Sequence, residues 1–371
     1  MAQDANDFIT HFSIIRDPRM DRTKRHPLNT IVFTALCAVI AGAEHWTEVA
    51  QFAKEKQAWL SQYVDFPHGI PSHDTYGRFF ALLNPKEFDK CFLSWVRSIY
   101  KKSQGEVIAL DGKTVRRSHD RTNAKEALHL VHAWSSENHM LLGQVETDTK
   151  SNEITAIPKL LKMLDLKGCI VTIDAMGCQK TIAGEITGQG GDYAFSLKGN
   201  QETIHEEVKL YWQDEKLKQE ADHYETVEKG HGRMEKRSYR ITSDIEWMDA
   251  KPDWAKLKSI GMVESERTIG EESSIECRFY LTSLDADAKE FARAVREHWG
   301  VENGLHYVLD ISFREDECRV RQGHAAQNFA LLRRLALNLL KRDRTSKVGI
   351  KARRLKAGWS THYLESVLRR N

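Results

Sequence analysis

Nowhere in the 371 residues do two cysteines stand as Cys-x2-Cys, and the six present (Cys37, Cys91, Cys169, Cys178, Cys277 and Cys318) are scattered. That spacing argues against structural zinc and against a disulfide framework, so buried free thiols are expected. Long apolar runs are missing as well. The longest, Ile31 to Ala43, is thirteen residues interrupted by Thr34, short of the roughly 18 to 20 that would span a bilayer. The first residues, Met1 to Asp7, have no basic segment feeding an apolar one, which argues against a secretory signal and for a cytoplasmic location. Internal repeats and low-complexity segments are also absent. What remains is 41% hydrophobic, 9% aromatic and 29% charged. That composition excludes disorder, collagen and small disulfide scaffolds, and the length suffices for two cores.

Net charge is only +2, yet it is unevenly placed. Residues 319–371 carry fourteen lysines and arginines against Asp343 and Glu365, which leaves the first 318 residues net acidic. A concentrated basic segment attracts polyanions through counterion release, although a merely solvated basic surface would look the same in sequence.

The first hundred residues read as successive helices. An apolar helix follows Pro27-Leu28-Asn29, and Trp46, Val49, Ala53, Trp59, Leu60 and Tyr63 recur at near-helical spacing. Gly69, Pro71 and Ser72 break the chain, and Pro85 starts an amphipathic helix carrying Phe88, Cys91, Phe92, Trp95 and Val96. A small helical domain over 1–102 is expected. Its basic stretch Arg16 to His26 and the helix start at Ser72 would suit a DNA-contacting helix-turn-helix, and a helical cap without a ligand fits equally well.

From Glu106 the pattern becomes extended. Val107 to Leu110 is an apolar run ending in Asp111-Gly112, as expected of a strand buried on both faces. Leu128 to Trp134 and Met140 to Val145 read as a hairpin, Ile154 to Leu164 as a helix, and Cys169 to Ile173 as a buried strand ending in Asp174. A helix from about Gln179 and a strand from Tyr193 to Leu197 follow. Three strands, a helix, a strand, a helix and a strand is the order of a ribonuclease H-like fold. The expectation is therefore an α/β domain over 103–371, with a mixed sheet and helices. A mainly β insertion at about 201–285 interrupts it, helical period resumes from Lys289 to Leu309, and a basic helical tail spans 319–371.

Three acids stand where this order of elements would gather them. Asp111 ends the first strand, Asp174 ends the fourth, and Glu302 lies on the helix after the insertion. Hard divalent cations require oxygen ligands, and three carboxylates converge only when cations offset their repulsion. Two Mg²⁺ ions, with Mn²⁺ able to substitute, would suit in-line attack on a phosphodiester. Taken singly, each acid is unremarkable, since Asp-Gly is commonly a turn and a helix glutamate is commonly solvated. Asp310, Glu315 and Asp316 are the natural replacements should Glu302 not belong. His298 and His306 flank Glu302 at i−4 and i+4. That is not His-Glu-x-x-His zinc spacing, so packing or phosphate contact is the stronger reading. Lys113, Arg116, Lys198 and Asn200 follow strand ends at the same rim and could hold phosphate, or simply be exposed loop groups.

Four blocks also carry a resemblance. Asp111-Gly112-Lys113-Thr114-Val115-Arg116-Arg117, Ile173-Asp174-Ala175-Met176-Gly177-Cys178-Gln179, Leu197-Lys198-Gly199-Asn200-Gln201 and His298-Trp299-Gly300-Val301-Glu302-Asn303-Gly304-Leu305-His306 lead on to Leu309-Asp310 and Phe313-Arg314-Glu315-Asp316. Together they resemble the H-repeat-associated insertion-sequence transposases from about residue 10 to 368. The resemblance implies a DDE transposase with Asp111, Asp174 and Glu302 as its acids, and a helical associated domain at the N-terminus. It also implies DNA as partner, both element ends and target, and action as a homo-oligomer on that DNA. Related transposases with a Tyr-x2-Arg-x3-Glu-x6-Lys signature would place Tyr, Arg and Lys where this chain has Val295, His298 and Leu309. Arg296 and Trp299 are the candidates to supply the missing contacts, a guanidinium to phosphate and an indole to an unstacked base. A surface charge and a core indole are their alternative readings. A ribonuclease H-like nuclease without strand transfer, and a non-catalytic transposon-derived DNA-binding protein, are the rival functions.

Overall fold

A computed structural model describes residues 10–119, 126–147, 153–230 and 232–369. The first nine residues and Arg370 of the basic tail lie outside the described residues. Helix α1 (Leu28–Ile40) follows Pro27 and is buried from Thr30 through Ile40, as an all-round apolar helix must be. After α2 (Trp46–Glu55) and α3 (Gln57–Leu60), the breaks read from sequence fall on helix caps. Ser72 accepts the N–H of Thr75 at the start of α4 (His73–Leu82). Asn84 caps α5 (Pro85–Ile99), with Pro85 in its first turn.

The sheet begins with β1 (Val107–Thr114), β2 (His129–Ser135) and β3 (Met140–Thr147). Helix α6 (Glu153–Leu161), β4 (Ile170–Ile173), α7 (Lys180–Gly188) and β5 (Asp192–Leu197) complete its first half. Strand β1 is antiparallel to β2 and parallel to β4, and β4 is parallel to β5. The spatial order β3-β2-β1-β4-β5 is the ribonuclease H-like arrangement read from the apolar runs.

The segment after β5 differs from a free-standing β insertion. It opens with two helices, α8 (Glu202–Tyr211) and α9 (Glu215–Glu220). Its strands β6 (Asp222–Gly230), β7 (Arg233–Thr242), β8 (Ser259–Ile269) and β9 (Glu272–Thr282) extend the main sheet to nine strands, with β9 antiparallel to β5. The outermost strand, β6, is exposed along almost its whole length, which is why the apolar periodicity fades there.

Helix α10 (Ala288–Val301) packs across β1, β4, β5, β6 and β7. It runs through a π-helical turn, Glu302–His306, into α11 (Tyr307–Phe313). Helix α12 (Ala325–Arg342) packs on α1, α4 and α5 on one side and β3 on the other, so the helical segment and the sheet share one core. The chain ends in α13 (Ile350–Trp359) and α14 (Thr361–Leu368).

The basic tail is not the open cationic surface its composition suggests. Arg333, Arg334 and Arg354 are buried. Arg354 donates to the carbonyls of Val39, Ala43 and Ser312, and Arg353 to those of Leu340, Asp343, Ser346 and Val348. These guanidiniums satisfy loop and helix-end carbonyls that packing has removed from water. The cations left exposed include Arg319, Arg344, Lys347, Lys351 and Lys356. Among the described residues no helix is long and apolar enough to cross a membrane.

Candidate active site

Strand β1 does not end at Asp111 but continues to Thr114, because β2 pairs with it over its full outer length. The parallel pairing with β4 stops at Leu110 opposite Ile173. Asp111 and Asp174 are the next residue on each of these neighbouring strands, which lie about 5 Å apart. Beyond β4 the chain turns into the 3-10 segment Ala175–Gly177, whose N–H groups at Met176 and Gly177 are capped by Oδ1 of Asp174 at 3.1 and 3.4 Å. Oδ1 of Asp111 accepts the N–H of Gly112 at 2.8 Å. One cleft is lined by both aspartates together with Glu302, His298, Trp299 and Lys198.

The helix lies close enough to deliver these groups because two glycines face the sheet. A Cβ at Gly304 would come within 2.8 Å of the Trp134 ring on β2, and one at Gly300 within 3.2 Å of its Nε1. Gly304 itself lies within the π turn, a local widening that recurs at functional sites. Glu302 is exposed, whereas His306, four residues on, is buried. The two therefore meet different surroundings.

The aspartates are electrostatically unequal. Burial pushes Asp111 up, but the His306 hydrogen bond, the nearby imidazoles of His306 and His298 and the Gly112 N–H outweigh it, and the carboxyl lies below its ordinary range. Asp174 is raised by burial, by the Asp111 charge and by Glu153, only partly offset by the Gly177 N–H and His298. His298 is lowered by burial against the pull of Asp111 and Asp174, and its Nδ1 is 3.0 Å from Oγ1 of Thr172 on β4. The acids in the cleft thus feel one another, the Asp111 charge raising Asp174.

Carboxylate oxygens are the donors that Mg²⁺ and Mn²⁺ take; Asp174 keeps Oδ2 free of backbone N–H donors, and Asp111 Oδ2 faces only the His306 ring, at 3.3 Å, leaving further lone pairs. Among the described residues no three His, Cys, Asp or Glu side chains stand gathered as a ready-made metal site. The fold prebuilds an aspartate pair with Glu302 lining the same cleft. The donor set fits a hard cation.

The remaining sequence candidates separate. Lys198 is exposed, lines the cleft and makes no ion pair within 4 Å to any described residue. Trp299 also lines it, half-buried, with the Arg278 guanidinium over its ring at 5.0 Å. Lys113 is not open to phosphate: its ammonium is buried and sits 2.7 Å from Asp310 and 3.5 Å from Asp316. Arg116 is exposed but pairs with Asp316 at 3.2 Å, and Arg296 pairs with Glu228 of β6 at 2.7 Å, outside the cleft. Asn200 donates to the Ala175 carbonyl at 2.6 Å and so steadies the turn after Asp174. His306 turns both ring nitrogens to protein groups, Nδ1 3.3 Å from Asp111 Oδ2 and Nε2 3.0 Å from His132 Nδ1. Asp310, Asp316 and Glu315 are all held by cations, Glu315 by Arg334 at 2.6 Å, and none lines the cleft in place of Glu302.

Sequence reasoning missed Thr172, Ser196, Arg278 and Tyr280, which also line the cleft. The signal was available. Alternate residues of a strand share a face, so Thr172 goes with Asp174 and Ser196 with Lys198. Arg278 and Tyr280 follow the same rule on β9, but only once β9 is known to lie beside β5.

The chain belongs to the DDE transposase family. Residues 102–339 match the family described as "Transposase DDE domain", and residues 9–96 match its companion, "DDE_Tnp_1-associated". It is 42% identical over 365 residues to "H repeat-associated putative transposase YhhI" of Escherichia coli (strain K12), covering 96% of each chain. It is 46% identical over 280 residues to "Uncharacterized protein in dhlA 3'region" of Xanthobacter autotrophicus, covering 74% of this chain and 94% of that one. Among solved structures, the piggyBac transposase synaptic complex with hairpin DNA aligns with a TM-score of 0.45 at 11% identity, over 99% of this chain and 77% of that one.

Proposed function

We propose that this protein cuts DNA at the ends of its own insertion element and joins the freed 3′-hydroxyl to target DNA, with Asp111, Asp174 and Glu302 as the catalytic acids. The observation that carries this reading is the register of β1 against β4, which sets Asp111 and Asp174 side by side in a cleft that Glu302 also lines. Asp111 and Asp174 would hold Mg²⁺ or Mn²⁺ between them, with Glu302 as the further ligand of a two-ion site. Bound there, the cations offset the mutual repulsion of the acids and of phosphate, and lower the barrier to in-line displacement at a phosphodiester.

The chain's own groups do the rest. Lys198 draws a phosphate to the rim. Thr172 fixes the His298 ring beside both aspartates. Trp299, with the Arg278 guanidinium over its ring, would offer an indole at the cleft for an unstacked base to stack on. Two copies acting together on two element ends would make the homo-oligomer the working form, within the cytoplasm and on the nucleoid.

The test uses labelled DNA carrying the inverted repeats that flank the gene, a supercoiled target plasmid and Mg²⁺ or Mn²⁺. Wild-type protein should yield both nicked ends and joined products. Asp111→Asn, Asp174→Asn and Glu302→Gln should bind the ends with unchanged affinity and yield neither, since phosphate contacts come from other side chains. Cleavage without joined product would identify a nuclease instead, and full cleavage by Glu302→Gln would remove that residue from the site.

A further inference from the structure

His132 stands directly across from Asp111 in the β1–β2 pairing, and His306 reaches over from the π turn to touch both. We propose that Arg334, His132 and His306 form a one-way hydrogen-bond chain that fixes the orientation of the Asp111 carboxylate, making His306 and His132 positioning residues for the reaction. The inference rests on reading Asp111 as a catalytic acid.

The direction of the chain follows from donor and acceptor chemistry. Glu315, fully buried, takes Nη1 and Nη2 of Arg334 at 2.6 and 3.2 Å, and Nη1 also donates to the Ala330 carbonyl at 2.8 Å. With the fork so held, Nε of Arg334 lies 3.1 Å from Nε2 of His132. A guanidinium only donates, so Nε2 of His132 must accept, and a neutral ring then carries its proton on Nδ1. That Nδ1 is 3.0 Å from Nε2 of His306. The second ring must accept there in turn and carry its proton on Nδ1, 3.3 Å from Oδ2 of Asp111. Each tautomer is dictated by the arginine at the far end, and an N–H arrives at the acid.

Burial and the charge of Arg334 push His132 well below its ordinary value, in keeping with a neutral ring. Asp111 is then restrained at both oxygens, Oδ1 by the Gly112 N–H and Oδ2 by His306. Such an arrangement is costly to bury. An apolar cluster of the same volume would commonly be at least as stable as the buried Arg334–Glu315 pair, so cohesion alone does not account for an arginine aimed at His132 beneath the carboxylate.

Selective ¹⁵N-histidine labelling of the full-length protein should show His132 and His306 with protonated Nδ1 and unprotonated Nε2, the reverse of the tautomer that free histidine favours. A protonated Nε2 on either ring overturns the chain. In the cleavage assay His306→Asn keeps an N–H donor near the δ position and should stay within about tenfold of wild type. His306→Ala and His306→Gln should each lose about 100-fold in kcat, as expected of a displaced reacting group, with KM for DNA unchanged. If His306→Ala or His306→Gln cuts like wild type while Asp111→Asn is dead, the chain fails and the acid assignment stands. If Asp111→Asn itself cuts, the acid assignment fails. Losses that follow thermal stability across all three variants, with no rescue by asparagine, would make the chain mere core packing. Because the tautomer measurement is made on wild type, it decides the direction of the chain even if a variant fails to fold.

Discussion

The Glu153 carboxylate occupies the space that a side chain on Gly112 would need. A Cβ built on Gly112 would lie 2.6 Å from Cδ of Glu153 and 2.9 Å from Nε2 of His129. Those two groups are themselves joined at 2.6 Å, both buried, with Nδ1 of His129 2.7 Å from Oγ1 of Thr114. The Asp-Gly step in β1 is therefore not a turn. It is a mid-strand gap that lets the buried His129–Glu153 hydrogen-bonded pair sit against the backbone beside Asp111.

Gly112→Ala should cost about 1–3 kcal/mol, the usual range for overpacking. It should also lower DNA cleavage, since the strain falls on the residue next to Asp111. Urea denaturation and the cleavage assay measure the two effects. A variant as stable as wild type would mean that Glu153 moves aside freely.

Glu315 belongs to a block that in sequence looked like a reserve of acids, yet it is completely buried and gripped by Arg334, with Arg333 at 3.8 Å. Burial opposes its ionisation, and the charges of Arg334 and Arg333 outweigh burial, so its folded pKa lies below the ordinary value. A depressed carboxyl stabilises the fold above the unfolded glutamate pKa, and that contribution fades as pH falls through the folded value. Glu315→Gln should cost about 3–5 kcal/mol at neutral pH, as breaking a buried pair does. The gap to wild type should shrink in acid. Denaturant titrations at pH 7 and pH 3 compare the two, and a pH-independent gap would contradict the linkage.

The parts of this molecule legible in its sequence are those where burial leaves a simple pattern. Val107 to Leu110 and Ile170 to Ile173 are buried on both faces and read as unbroken apolar runs, so the strand pair and the acids that follow it could be placed. Ser72 and Pro85 marked helix starts because capping chemistry is local. His132 was hidden inside such a run, since a polar ring satisfied by buried partners leaves no periodic trace. The fate of Lys113, Arg333, Arg334 and Arg354 was equally hidden, because charge counts do not say which cations find carbonyls or carboxylates inside the core. The extension of the sheet by β6 to β9 depends on β9 meeting β5, a pairing between Leu197 and Phe279 that no local signal specifies.

Lys198 and Lys113 stand near the same strand ends but differ in what holds them. Lys198 is exposed at the cleft, whereas the Lys113 ammonium is paired with Asp310 and Asp316. Lys198→Ala should weaken DNA binding across sequences and reduce the slope of log K against log salt by about 1. Lys113→Ala should leave that slope unchanged and destabilise the fold instead, because it strips Asp310 of its cation and leaves Asp316 with Arg116 alone. Fluorescence anisotropy over a range of salt concentrations separates the two, and equal slopes for Lys198→Ala and wild type would take Lys198 out of the DNA contact.

Asp89 on α5 carries a buried Oδ1 with no hydrogen-bond partner among the described residues, and burial raises its pKa from the ordinary 3.8 to about 7. Between those values the folded chain holds a proton that the unfolded chain has released. Stability should therefore fall as pH rises from about 4 to 7 on account of this group. Asp89→Asn removes the titration. Above pH 7 it should stabilise the protein by about 1 kcal/mol, because a neutral amide replaces a half-buried carboxylate whose charge has no compensating partner. Near pH 4 the gap should be small, since Asp89 is then neutral in the folded state and only about half ionised in the unfolded one. Thermal unfolding at pH 4, 5.5 and 7.5 reads the gap directly. A difference in Tm that stays constant with pH would show that the Asp89 carboxyl is ionised in the fold throughout.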